Sequence, residues 1–124
     1  MSFLDSFLEY GSKFESPTSF WKWAGYSAVA AVLRDNVYRK RGLTCLFPNI
    51  YVLIVADSSQ HRKNHPLDAA GTLIKKVNNT KLLSGSYSFQ FMLMELARME
   101  TSSKSGVIEK KAGCGLFLAQ ELSA

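Results

Sequence analysis

A chain of 124 residues supplies one hydrophobic core and not two. Its 47% hydrophobic and 20% charged residues are globular proportions, and no run approaches the roughly 20 apolar residues of a membrane helix, so a bilayer-spanning segment is excluded from expectation. The balance of 15 basic to 10 acidic residues leaves a net charge of +5, which biases encounters toward phosphate-rich partners.

The first residues, MSFLDSFLEY, carry acids where a secretory leader carries bases, so export is not expected and the cytoplasm is the expected compartment. Cys45 and Cys114 stand far apart with no CxxC or Cys/His spacing, and the expectation is two buried, reduced thiols.

Phe3, Leu4, Phe7 and Leu8 recur at helical spacing up to Gly11, predicting a first helix. Ser16 and Pro17 give a helix-start signal, and Phe20, Trp21, Ala24, Ala28, Ala31 and Val32 then form one apolar face reaching about Arg34. The small residues of GYSAVAAVL permit close packing against a neighbouring element.

Between Val37 and Phe47 two β-prone runs flank Arg41 and Gly42 and predict a short hairpin. Its cluster Arg39, Lys40 and Arg41 has two readings, a solvated basic face or a nucleic-acid contact. Pro48 and Asn49 break the chain, and IYVLIVA at 50–56 has the continuous apolar pattern of a central strand buried on both faces.

The polar window DSSQHRKN follows, and Pro66 opens a helix whose stripe is Leu67, Ala70, Leu73, Ile74 and Val77. A short strand is expected at 81–84, then a helix capped by Ser86 or Ser88 and carrying Phe89, Met92, Leu93 and Leu96. The polar stretch 101–113 leads to CGLFLA, a buried-strand pattern ending at Gln120 and Glu121.

The order is β-α-β-α-β, which predicts an α/β fold: a mostly parallel sheet flanked by helices, preceded by two helices and a hairpin. As a single domain it divides into a helical and hairpin segment at 1–48 and an α/β core at 49–124.

In a phosphate loop, a strand is followed by GxxxxGK[ST]: glycines let amides curl around phosphate, lysine neutralises charge and the hydroxyl meets magnesium. Laid on DSSQHRKN, Lys63 takes the lysine position, Asp57 and Arg62 the two glycine positions and Asn64 the hydroxyl position. The literal motif is absent: a carboxylate at Asp57 would repel phosphate, and Arg62 resists a positive φ more than glycine does, by about 1 kcal/mol or more, though it brings a phosphate donor of its own. GLFLAQE matches the shape of an acidic strand end, with Gln120 in the usual aspartate position and Glu121 in the usual catalytic glutamate position.

The phrases FWKWAGYSAVAAVL, FPNIYVLIVADSS, RKN, TKLLSGSYSFQFMLMELA and GLFLAQELSA, in that order, resemble the large P-loop ATPases of phages and mobile elements, relatives of primase-helicases and often described as helicase-like or terminase-like. The resemblance spans most of the chain and implies a partial P-loop NTPase core that takes ATP and magnesium. It implies that Ser59, Arg62, Lys63 and Asn64 face the nucleotide, together with Ser86 and Ser88. Glu121 would then be the catalytic residue, with Asn64 and Gln120 near magnesium.

The family fold continues past its acidic strand, so the resemblance also implies a truncated domain, incomplete for hydrolysis alone. Completion would come from a complementary C-terminal polypeptide or a homo-oligomer, in a bacterial host cytoplasm if the chain is phage-encoded. The alternative keeps the scaffold without catalysis, as a DNA-binding or protein-interaction module using Arg39, Lys40 and Arg41.

Simpler readings stand beside these. His61 and His65 have HxxxH spacing but straddle a loop and a helix start, and Ser58, Ser59 and His61 lack an orienting partner. Lys63 also reads as a solvated, unpartnered lysine, and Glu121 equally as a cap for a helix beginning at Leu122.

Overall fold

The computed structural model describes residues 2–56, 62–77, 80–85, 88–97 and 115–119. Among these the chain is mixed helix and strand: α1 (Phe3–Gly11), α2 (Thr18–Leu33), β1 (Arg39–Arg41), β2 (Thr44–Leu46), α3 (Asn64–Lys75), β3 (Lys81–Ser84), α4 (Phe89–Ala97) and β4 (Gly115–Leu118).

A capping box starts α1. The Ser2 hydroxyl accepts from the Asp5 backbone N–H at 3.3 Å, and the Asp5 carboxylate accepts from the Ser2 N–H at 2.9 Å, satisfying amides the helix leaves unpaired. These bonds favour the charged carboxylate and hold the Asp5 pKa below its ordinary value.

The core forms where α1 and α3 both pack on α2, around Phe7, Trp21, Ala24, Ala28, Ala70 and Ile74. Trp21 is 1% exposed and is enclosed by aromatic rings: Phe7 edge-on at 5.3 Å, Tyr10 edge-on at 5.9 Å and Phe14 stacked at 5.4 Å. Gly11 makes this enclosure possible, because a Cβ there would lie 2.4 Å from the indole. The alanines of α2 let α3 approach closely, as the small-residue pattern predicts.

The β3 and β4 strands pair in parallel, from Lys81 opposite Gly115 to Ser84 opposite Leu118. Parallel neighbours need a crossover, and α4 lies within the connecting stretch. Ser88 caps α4, its hydroxyl accepting from the Phe91 N–H at 3.3 Å. Lys81 ties β3 to α4 by donating to the Glu95 backbone carbonyl at 3.0 Å and to its carboxylate. Helix α3 covers this pair across Gly71, where a Cβ would lie 3.1 Å from Leu118 and 3.4 Å from Leu82.

Two expectations are corrected. The segment 50–56 forms no strand: the described strands make two separate two-stranded sheets, β1 with β2 and β3 with β4. A central strand needs hydrogen-bonded neighbours, and no described strand lies beside this segment. Most of its side chains face solvent instead, Tyr51 at 97%, Leu53 at 70% and Val55 at 78% exposed, with Ile54 and Ala56 half-buried. Cys45 is also exposed rather than buried, because no element among the described residues covers β2; Cys114 lies outside the described residues.

Candidate functional site

The residues assigned to phosphate divide between described and undescribed parts of the chain. Arg62, Lys63 and Asn64 lie together where the chain turns into α3. Asp57, Ser58, Ser59, His61, Ser86, Gln120 and Glu121 lie outside the described residues. Ser88 is exposed at the start of α4, where its hydroxyl serves as a cap.

Arg62 has φ = 37°, the left-handed region that costs a non-glycine residue about 1 kcal/mol or more. The turn is held from outside. Ser16, 6% exposed and 46 residues earlier, donates its hydroxyl to the Arg62 carbonyl oxygen at 2.9 Å. The same oxygen accepts from the His65 backbone N–H at 3.1 Å, closing the turn onto the first residues of α3. Arg62 Nε also meets the Glu15 carboxylate at 3.2 Å, an exposed pair worth at most about 1 kcal/mol.

Lys63 occupies the N-cap of α3 with helical dihedrals, φ = −54° and ψ = −23°, and gives that helix no side-chain cap. It is half-buried and enters no ion pair among the described residues. The first turn of α3 has no acidic residue, so no carboxylate there opposes its partial positive charge. Two buried polar atoms nearby, Asn64 Oδ1 and His65 Nδ1, have no hydrogen-bond partner among the described residues. The His65 ring stands edge-on to Phe14 at 5.7 Å, which fixes the imidazole against the aromatic core.

This arrangement can meet an anion with a free ammonium, a helix amino end and a second cation on a constrained turn. Its cations suit an anion; residues 57–61, which would complete a loop around one, lie outside the described residues. For magnesium the described contribution is the Asn64 side-chain oxygen, and the described residues contain no group of three or more His, Cys, Asp or Glu that would hold a metal ion.

No family model, curated protein or solved structure matches the chain. The functional reading therefore rests on the residues themselves.

Sequence reasoning missed Glu15, Ser16 and His65 as supports of the turn. Ser16 was legible as part of a helix start, but its hydroxyl turns away to Arg62, and Pro17 takes the N-cap of α2 without a side-chain hydrogen bond. No local pattern links positions 16 and 62. The basic cluster lies on the hairpin, with Arg39, Lys40 and Arg41 all exposed along β1.

Proposed function

We propose that this chain is a nucleotide-binding module, the ATP-binding or degenerate ATPase core of a phage-type helicase, primase or packaging protein, with the phosphates at the amino end of α3. The observation that supports this reading is the left-handed φ of Arg62, directly before Lys63, at the position where a phosphate loop carries its second glycine. Arg62 holds this φ although it is not glycine, while 57–61 lie outside the described residues and the run 50–56 before them forms no strand.

In this reading Lys63 neutralises the β- and γ-phosphates, Arg62 assists from the turn, and Asn64 would offer magnesium its side-chain oxygen, which has no hydrogen-bond partner among the described residues. Magnesium, when bound, would screen phosphate charge. Ser59, Gln120 and Glu121 keep the roles the resemblance implies, with Glu121 orienting water.

Titration with a fluorescent ATP analogue tests the site. Saturable binding that ATP competes away and Lys63→Ala abolishes is the expected result. Equal binding by wild type and Lys63→Ala contradicts the assignment.

A further inference from the structure

The β1–β2 hairpin is unusual in being exposed at every ladder position, Arg39 to Arg41 and Thr44 to Leu46. A lone two-stranded hairpin is marginal in water, so a surface of this kind gains from a partner. The three consecutive cations of β1 enter no ion pair among the described residues.

Register and strand alternation sort the side chains. Arg39 pairs with Leu46, Lys40 with Cys45 and Arg41 with Thr44. Arg39, Arg41, Thr44 and Leu46 thus share one face, and Lys40 and Cys45 the other. One step beyond the Arg39–Leu46 rung, Tyr38 and Phe47 meet with ring centroids 6.1 Å apart and planes tilted by 49°. By the same alternation, both rings stand on the Lys40 face, and each is about half exposed.

We infer that this hairpin is a binding platform for single-stranded nucleic acid, with the phosphates taken by Arg39, Lys40 and Arg41 and a base stacked on the Tyr38–Phe47 pair. Charge complementarity selects a polyanion, and half-open aromatic faces beside a cation select one that carries planar bases free of a duplex stack. A lipid surface would favour cations and apolar groups segregated on opposite sides. Here cations occupy both faces of the ribbon, while exposed Val37, Leu43 and Leu46 are the features a bilayer would use better. The platform is carried by other residues than Arg62, Lys63 and Asn64 and does not rest on the nucleotide reading.

The test is fluorescence anisotropy of a labelled oligothymidylate of about 20 nucleotides, with the same length of duplex and anionic vesicles as competitors. Three phosphate contacts to a single strand predict a slope of log K against log salt near −2. Replacing Arg39, Lys40 and Arg41 together by Gln is expected to weaken binding about tenfold or more at low salt while leaving the circular dichroism spectrum unchanged. Tyr38→Ala is expected to weaken binding severalfold with the salt slope unaltered, because stacking releases no counterions.

Absence of oligonucleotide binding by the wild type overturns the proposal, as does equal binding by the triple variant. Tighter binding to duplex, or binding to vesicles alone, overturns it in favour of groove or membrane docking. If the triple variant fails to fold, Lys40→Glu carries the same test, and unchanged affinity there is equally contrary.

Discussion

The Ser16 hydroxyl donates to the Arg62 carbonyl oxygen at 2.9 Å, joining the segment that leads into α2 to the turn that leads into α3. A buried intramolecular hydrogen bond contributes about 1 kcal/mol net. Ser16→Ala is therefore expected to lower stability by about 0.5–1.5 kcal/mol in urea unfolding, with an unchanged slope. It should also weaken ATP-analogue binding, because the turn before Lys63 loses its external tie. Full affinity in a destabilised Ser16→Ala would show that the tie serves folding alone.

Arg62→Gly asks whether the left-handed turn is strained. Glycine adopts φ = 37° without a Cβ penalty, and the exposed pair with Glu15 that is lost stabilises little. The unfolded chain gains freedom at the same time, so the two effects oppose each other. The expected net is a small rise in stability of up to about 1 kcal/mol, read as a higher midpoint of thermal unfolding. A clear fall would place the Arg62 side chain among the turn's supports.

Gly11 of α1 lies directly against the Trp21 indole of α2. A Cβ at position 11 would lie 2.4 Å from the indole, inside contact distance, and Trp21 is enclosed by Phe7, Tyr10 and Phe14. Gly11→Ala is expected to cost about 1–3 kcal/mol through overpacking, and Trp21→Ala about 3–5 kcal/mol through the cavity it leaves. Urea denaturation of both variants checks the order; a neutral Gly11→Ala would show that α1 shifts freely on α2.

Acid should weaken the start of α1. The Asp5 carboxylate is held below its ordinary pKa by bonds from the Ser2 backbone and hydroxyl, so folding favours its charged form. Its contribution is fully present above the ordinary carboxylate value and is lost as pH falls through the lowered one. Asp5→Asn is expected to flatten the pH dependence of stability in that acid window and leave neutral-pH packing of Trp21 unchanged. An unaltered acid profile would contradict the role of the capping box.

The helices were legible because each carries a local signal. Phe3, Leu4, Phe7 and Leu8 give α1 its stripe, the Trp21 and alanine series gives α2 its close-packing face, and Pro66 with Ala70 and Ile74 gives α3 its start and core contacts. The strands β3 and β4 and the hairpin were also readable from short β-prone runs bounded by turn residues. The segment 50–56 was not, because its composition specifies a strand interior while strand formation depends on a neighbour that no local pattern can supply. At the candidate site, Lys63 and Arg62 were nominated by their offset to a run that forms no strand, so their role rests on the binding tests. The Ser16 tie and the Glu15 pair were not, since both cross more than forty residues.

Thermal unfolding of the purified chain with and without magnesium-ATP, alongside Lys63→Ala, tests the nucleotide site most directly, because a ligand that binds only the folded state must raise the midpoint. At a ligand concentration 100 times Kd the expected stabilisation is about 2.7 kcal/mol for the wild type and none for Lys63→Ala. A cooperative transition that magnesium-ATP leaves unmoved in the wild type, or moves equally in both proteins, would contradict a nucleotide site at the amino end of α3.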